Sequence, residues 1–213
     1  MSLNLKKGGN LSLTKEGVNL NKIQVGLGWD TNQDSTIKTE FDLDVFGLLV
    51  DNNNKGITEA GTFFYNNVDG KGTSSLKAYP PSLDGTAITA KMDEFLKSSP
   101  VVISKDNLSG AGDGDDETLF INSTNLPKDK KIIVVVNIYE ADSRKQTFGM
   151  VSNVYARVLS NGTEVCKYDL AEDFSIESGV IIAEIYWNND ELKVKALGKG
   201  FTGTVDTLFT QYS

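Results

Sequence analysis

Carboxylates crowd into one short stretch of the sequence, SGAGDGDDETLF at 109–120. Asp113, Asp115, Asp116 and Glu117 are four of five consecutive residues. Unit charges about 4 Å apart repel each other by roughly 1 kcal/mol in water, and by several times that amount near a protein surface. Such a segment either remains solvated, as acidic runs often do, or closes around a cation.

Two local features of this stretch favour a cation. Gly110, Gly112 and Gly114 allow the backbone to curl and to present carbonyl oxygens, which calcium sites use alongside carboxylates. The acidic residues also run directly into the apolar strand pattern TLFIN at 118–122, so the segment is anchored at one end. The stretch is therefore a candidate metal-binding loop.

A second acidic pair, Asp42 and Asp44, stands in FDLDVF at 41–46. Residues i and i+2 of a strand share one face and lie about 6.5 to 7 Å apart, so both carboxylates point the same way. Two charges at the start of an apolar strand are unfavourable unless water or a cation neutralises them. We expect the loop and the strand together to supply the oxygen ligands of a calcium ion.

Composition restricts the metal and the chemistry. The chain has no histidine and a single cysteine, Cys166, which lies in a strand pattern and is expected in the core. Ser-His-Asp and Cys-His catalysis are therefore excluded, and no ligand set for zinc remains. A bound metal must prefer oxygen ligands, as calcium and magnesium do. An EF-hand does not fit, because the sixth and twelfth positions counted from Asp113 are Thr118 and Thr124.

The charge balance restricts the partners and the location. A formal net charge of −8 over 213 residues argues against a surface for nucleic acid or anionic membranes. No segment approaches the ~20 apolar residues of a membrane span, and the N-terminal MSLNLKKGGNLSL lacks the apolar core of a secretory signal. We predict a cytoplasmic protein without direct membrane insertion.

Hydrophobic periodicity predicts an all-β fold. The runs at 20–30 and 41–51 alternate apolar and polar residues at period two. The run KIIVVVNIY at 131–139 is continuously apolar, which is typical of a strand buried on both faces. These short runs, separated by turn residues, indicate a sandwich of two antiparallel sheets.

Turn and helix signals complete this picture. Asn161-Gly162 and the stretch 188–190 predict hairpin turns. A few short helices are predicted, at 92–97, within 140–148 and after Thr204. Arg144 and Lys145, which fall in the second of these segments, are expected in a solvated charged loop.

The length fits one domain over 1–213. Residues 70–105 fit the strand pattern least, because they contain three of the four prolines and show no clean period. We expect this segment to be a long surface excursion between strands. Long loops of this kind also serve as lids or partner sites.

The acidic residues are also compatible with functions other than a calcium-ordered binding surface. Paired carboxylates also act as acid and base, so a carboxylate-dependent or metal-dependent hydrolase is an alternative to a binding protein. A module whose ions only stabilise the fold is a third possibility. The Gly26-Leu-Gly28 stretch lacks the third glycine of a dinucleotide fingerprint and predicts no such site.

Eight short motifs follow one another along the sequence: KKGGN (6–10), GLGWD (26–30), FDLDV (41–45), FYNN (64–67), DNLSGAGDGDDE (106–117), IYEADSRKQTFGMVSN (138–153), YDLAEDFSIES (168–178) and ALGKGF (196–201). In this order they resemble the tellurium-resistance family built on the TerD domain. The resemblance runs nearly from end to end, with the stretch between FYNN and DNLSG longer than expected for the family.

The resemblance implies a β-sandwich that binds calcium, usually as two ions close together. The metal ligands that it implies are Asp42, Asp44, Asp106, Asn107, Asp113, Asp115, Asp116 and Glu117. Candidates of a second rank are Asp30, Asn66, Asn67 and Glu140.

The resemblance also implies a function in stress response or tellurite resistance, without a catalytic centre. Calcium would relieve the repulsion between carboxylates and order the acidic loops, which then present a surface to protein partners. Related proteins are linked to a membrane-associated complex, so a protein partner of that kind is expected.

Overall fold

Two six-stranded sheets form the framework of the protein. The computed structural model describes residues 3–112, 114–170 and 174–213. Strand pairing is antiparallel throughout the described chain, apart from one short parallel pair at the N-terminus. One hydrophobic cluster draws side chains from both sheets, which confirms the predicted sandwich.

The first sheet has the strand order β1-β10-β9-β3-β7-β6. Its strands are β1 (Leu3–Asn4), β3 (Ile23–Gly28), β6 (Val101–Ile103), β7 (Glu117–Ile121), β9 (Tyr155–Ser160) and β10 (Thr163–Asp169).

The second sheet has the order β2-β12-β11-β8-β4-β5. Its strands are β2 (Asn10–Ser12), β4 (Leu43–Asp51), β5 (Thr62–Phe63), β8 (Lys130–Ile138), β11 (Gly179–Asn188) and β12 (Glu191–Phe201). The α-helices in the described chain are α1 (Ser75–Ala78), α2 (Gly85–Leu96), α3 (Ala141–Arg144) and α4 (Asp206–Tyr212).

The central strand β8 is buried on both faces, as its continuous apolar run predicts. Ile132 and Val134 belong to the core between the sheets. Ile133 and Val135 point the other way, into a smaller cluster that Leu208 of α4 helps to close. The C-terminal helix therefore covers the outer face of the second sheet.

Hairpin turns form where the sequence predicts them. Asn161 and Gly162 both have positive φ, 50° and 76°, between β9 and β10. This pair of left-handed conformations suits the right-handed twist of the strands, and Asn-Gly adopts it readily. Asn189, with φ of 54°, makes the corresponding turn between β11 and β12.

Residues 70–105 form packed structure rather than a surface excursion. They contain α1, α2 and β6, and the predicted helix at 92–97 extends back to Gly85. Asp84 caps α2, since its side chain accepts a hydrogen bond from the Ala87 N–H at 2.8 Å. Tyr79 and Leu96 are buried members of the large hydrophobic cluster that draws side chains from both sheets. The segment thus helps to build the sandwich.

None of the helices in the described part of the chain combines the length and the apolar character that a membrane crossing requires.

We predict that Leu208→Ala destabilises the protein by about 2–4 kcal/mol, because it removes a buried side chain and leaves a cavity under α4. Leu208 is only 2% exposed. The free energy of unfolding is measured by urea denaturation. The control is Leu76→Ala, the same change at a leucine that is 70% exposed, which should alter the stability by less than about 0.5 kcal/mol. Equal effects of the two substitutions would contradict the packing of α4.

Candidate metal centre

Three carboxylates from two separate segments meet at one end of the sandwich. One oxygen each of Asp42, Asp44 and Asp106 lies within 4.8 Å of the others. Among the described residues, this is the one group of metal-ligating side chains at that spacing. The resemblance implies all three as ligands, and the fold brings the three together.

Strand β4 positions the first two carboxylates. Asp44 is on β4, and Asp42 directly precedes it, so the i and i+2 side chains share a face. The Asp42 carbonyl accepts a hydrogen bond from the Tyr139 N–H at 2.8 Å, which extends the pairing of β4 with β8 beyond Leu43. Both aspartates are buried, with 7% and 5% of their surface exposed.

The third carboxylate, Asp106, lies on the loop between β6 and β7. The Asp106 N–H donates to Ser75 Oγ of α1 at 3.1 Å. Ser75 is itself buried at the start of that helix. The segment 70–105 therefore helps to fix the position of Asp106.

Glu117 contacts both chain segments that carry the aspartates. It is 2% exposed and begins β7 in the first sheet. Its Oε2 accepts a hydrogen bond at 2.8 Å from the Val45 N–H of β4 in the second sheet. Its Oε1 accepts a longer one, 3.4 Å, from the Asn107 N–H. The side chain therefore ties together the two segments that carry the aspartates.

Burial raises the pKa values of the three aspartates and of Glu117, and repulsion between carboxylates adds to the shift of each group except Asp106. Burial, reinforced by Asp42, raises the pKa of Asp44 to about 8. Burial, and then the charge of Asp106, raises the pKa of Asp42 to about 6, although Arg144 opposes the shift. Burial also raises the pKa of Asp106, and that of Glu117 well above its ordinary value. When these groups are ionised, their described neighbours do not compensate all of the negative charge, and a cation would neutralise it.

One oxygen of the cluster lacks a partner. Asp106 Oδ1 is buried and makes no hydrogen bond within the described residues. A buried carboxylate oxygen without a donor is unfavourable, so its position suits a metal ligand. The donor set consists of carboxylate oxygens alone, which is the chemistry that calcium prefers. The residues present therefore fit a calcium ion.

The three aspartates open into a cavity of about 290 Å³. Two tyrosines form part of its wall, with the rings of Tyr65 and Tyr139 packed edge to face at 6.2 Å. Leu108 lies at the cavity with 62% of its surface exposed. Burial raises the pKa of Tyr65 to about 12, so its hydroxyl keeps its proton at neutral pH. The carboxylates therefore lie within a partly aromatic, accessible recess.

Arg144 also lines this cavity, which corrects its expected place in a solvated loop. Its Nη1 lies 3.6 Å from Asp42 Oδ2, and its Nε lies 3.8 Å from Glu140 Oε2. The guanidinium carbon stands 5.0 Å from the centre of the Tyr139 ring. Arg144 therefore provides positive charge beside the aspartates, while Glu140 lies on the outer side of Arg144.

The acidic loop divides its remaining carboxylates between other partners. Arg157 Nε donates to Asp115 Oδ1 at 2.7 Å, and the Tyr155 hydroxyl donates to the same oxygen at 3.1 Å. Asp116 accepts from the Trp29 N–H and from Asn107 Nδ2, both at 3.0 Å. Asp115 is thus paired with Arg157 of β9, Asp116 is held by the backbone N–H of Trp29 and the side-chain amide of Asn107, and neither belongs to the aspartate cluster.

Asp30 lies at a second cavity, of about 360 Å³. Its Oδ2 accepts a hydrogen bond from Asn153 Nδ2 at 2.6 Å. Asn107 uses its side chain within its own turn and on Asp116. Asp113, the first carboxylate of the acidic loop, lies outside the described residues.

The two asparagines after β5 do not line the aspartate cavity. Asn67 is buried, its Nδ2 donates to the carbonyls of Glu59 and Thr62, and its Oδ1 accepts from the Gly72 N–H. Its side chain therefore stabilises the turn. Asn66 lies at a separate groove beside α4.

Sequence reasoning missed part of the cavity wall. Tyr65, Leu108 and Tyr139 had no assigned role, and Arg144 was expected in solvent. The available signal was their position next to implied ligands, since Tyr65 precedes Asn66 and Tyr139 precedes Glu140. Which side chains turn inward depends on the tertiary contacts of these loops.

Comparisons with known proteins agree with the fold and the motifs. The TerD domain model matches residues 1–85 and 95–212. The unmatched residues, 86–94, lie within α2 and are a narrower stretch than the predicted excursion at 70–105.

Two relatives match along the whole chain. Tellurium resistance protein TerD from Serratia marcescens is 39% identical over 215 residues, covering 100% of this chain and 97% of its own. General stress protein 16U from Bacillus subtilis (strain 168) is 38% identical over 215 residues, with the same coverage of 100% and 97%.

A solved structure shares the fold. The crystal structure of a homologue of telluride resistance protein (TerD) from Streptomyces coelicolor A3(2) superposes with a TM-score of 0.59. The two chains are 15% identical, and the superposition covers 88% of this chain and 94% of the other. With a family match over most of its length and full-length relatives above 30% identity, this chain belongs to the TerD family of tellurium-resistance and stress proteins.

Proposed function

We propose that this TerD protein binds calcium between Asp42, Asp44 and Asp106 and that the bound ion orders a surface for a protein partner. The observation that supports this most directly is the convergence of three carboxylate oxygens within 4.8 Å at an accessible cavity. Stress response or tellurite resistance, as the names of the relatives suggest, is the proposed context.

Geometry and donor chemistry support calcium as the ion. Calcium takes six to eight oxygens at about 2.3–2.6 Å, so opposite ligands lie about 5 Å apart. The three carboxylates fit inside this span and, if each binds through both oxygens, supply up to about six ligands. The buried Asp106 Oδ1, which lacks a hydrogen-bond partner in the described chain, is one such ligand.

The ion would act by removing repulsion. In the metal-free protein, protons on the cluster relieve part of the repulsion, as the raised pKa of Asp44 indicates. Calcium would replace these protons and hold β4 and the loop at Asp106 in one arrangement. Tyr139 and Leu108, which are 37% and 62% exposed at the cavity, then form the surface offered to a partner.

Thiol chemistry on tellurite receives no support. Cys166 is 2% exposed, and burial raises the pKa of its thiol to about 11. The reactive thiolate is therefore rare at neutral pH. A binding role is better supported than reduction by this cysteine.

A carboxylate-dependent hydrolase is the second candidate, because the pKa values of Asp42 and Asp44 are raised to different extents. Its acid and base must lie on opposite sides of the bond that breaks. Here the carboxylate oxygens converge on one point, which favours an ion between them. Loss of both raised pKa values on addition of calcium would favour the binding role.

We predict that Asp44→Asn weakens calcium binding by more than about tenfold, because calcium affinity depends on the number of charged ligands. Isothermal titration of chelator-treated protein measures the dissociation constant. The control is Asp129→Asn, the same chemical change at an exposed turn before β8, at the far end of that strand from the cavity. Wild-type protein that gives no heat with millimolar calcium would refute the proposal.

We predict that the stabilisation by calcium grows as the pH rises from about 5 to about 8. Asp42 and Asp44, with ordinary values of 3.8, have folded pKa values of about 6 and about 8. Below pH 3.8, both carboxyl groups are protonated in the folded protein and in the unfolded chain. Between pH 3.8 and the folded pKa values, the unfolded chain has lost these protons while the folded protein still holds them. The metal-free protein therefore loses stability as the pH rises through the folded pKa values.

Calcium binds the ionised form, so each displaced proton raises the apparent affinity by up to about tenfold per pH unit. Thermal unfolding with calcium or with chelator measures the shift at each pH. A shift that is constant across this range, or equal with magnesium, would contradict a calcium site at these aspartates.

A further inference from the structure

Arg144 is the one cationic side chain among the described residues that line the aspartate cavity. Its Nη1 lies 3.6 Å from Asp42 Oδ2, and Asp42 is a member of the aspartate group at this cavity. The Arg144 side chain is only partly exposed, at 23%. A positive charge therefore already stands beside a proposed calcium ligand.

The same guanidinium has a second partner within reach. Glu140 Oε2 lies 3.8 Å from Arg144 Nε, and the Glu140 side chain is 55% exposed. Both contacts are longer than a well-formed ion pair of about 2.7–2.9 Å, so neither partner holds the guanidinium tightly. Small rotations of the side chain would transfer it from Asp42 towards Glu140.

The backbone that carries Arg144 is fixed. Ala141, at the start of α3, is 6% exposed and accepts a hydrogen bond from the Gln146 N–H at 2.9 Å. Gln146 Nε2 donates to Thr39 Oγ1 at 3.1 Å and to the Glu40 carbonyl at 3.2 Å. Movement of the guanidinium is therefore a side-chain event on an anchored turn.

From these contacts we propose that Arg144 is a tethered counter-cation that competes with calcium for Asp42 and moves towards Glu140 when the ion binds. The inference rests on the proposed calcium site and adds the residue that tunes its affinity. A divalent ion at the aspartates repels the guanidinium, because two like charges cannot share Asp42 without cost. The displacement uncovers the face of the Tyr139 ring, which now lies 5.0 Å from the guanidinium carbon.

The chain offers a direct spectroscopic test, since Arg144 and Arg157 are its two arginines. Heteronuclear NMR of the arginine Nε–H groups should show two signals, and Arg144→Gln assigns them by removing one. Calcium should shift the Arg144 signal with the dissociation constant found by calorimetry. The Arg157 signal, held by Asp115 at 2.7 Å and Glu164 at 3.3 Å, should stay in place.

Calorimetry provides the second readout. Arg144→Gln should tighten calcium binding by about two- to fivefold, the range expected for a partly exposed ion pair that is lost. Arg144→Lys keeps the charge and should bind with nearly wild-type affinity. Lys145→Gln is the matched control, because it removes the same charge from the next residue, which does not line the cavity.

The outcomes separate the two proposals. If the wild type binds no calcium, both fail. If the wild type binds calcium while the Arg144 signal stays still, or if Arg144→Gln leaves the affinity unchanged, the calcium site stands and the role of Arg144 is refuted. If Lys145→Gln tightens binding as much as Arg144→Gln, the effect is one of net charge, and the counter-cation is again refuted.

Discussion

Burial of like charges in one place is the constraint on which the candidate site depends. Asp42, Asp44 and Glu117 are all buried, and Asp106 completes the group. Carboxylates in such surroundings lose their hydration and repel one another, which is why the pKa values of Asp42 and Asp44 are raised. The fold holds them there because strands on either side are anchored by an extensive apolar core. The proposed affinity for a cation rests on this arrangement, in which the carboxylates are gathered before an ion arrives.

Glu117 of the first sheet helps to position the acidic segment of the second sheet through its hydrogen bonds. β5 pairs with β4 only at Gly47 and Leu48, so within the described part of the chain no strand pairs with the edge of β4 nearer the cavity. Glu117, from the opposite sheet, accepts the hydrogen bond of the Val45 N–H on that edge. One buried side chain thus satisfies a strand edge and positions the segment that carries Asp44.

Much of the fold follows from local sequence patterns, whereas the site follows from them only in part. The continuous apolar run of β8 and the Asn161-Gly162 turn predict their structures because local physics decides them. Local patterns do not predict the packing of residues 70–105, because Tyr79 and Leu96 are buried in a cluster built from residues that are distant in sequence. Asp42 and Asp44 were singled out by their i, i+2 spacing on a predicted strand, whereas Asp106 was named only through the family resemblance.

Arg144 illustrates why the rest of the site escapes prediction. In the sequence it follows Glu140 and Asp142, and neighbouring charges of opposite sign usually form a solvated face. Its contact with Asp42 joins residues about a hundred positions apart, so local sequence patterns do not reveal it. The same applies to Asp115 and Asp116, which are adjacent in sequence but bind Arg157 and the Trp29 N–H respectively. A count of charges fixes how much neutralisation a segment needs. Only the tertiary contacts decide which carboxylates receive it from the protein and which remain available to an ion.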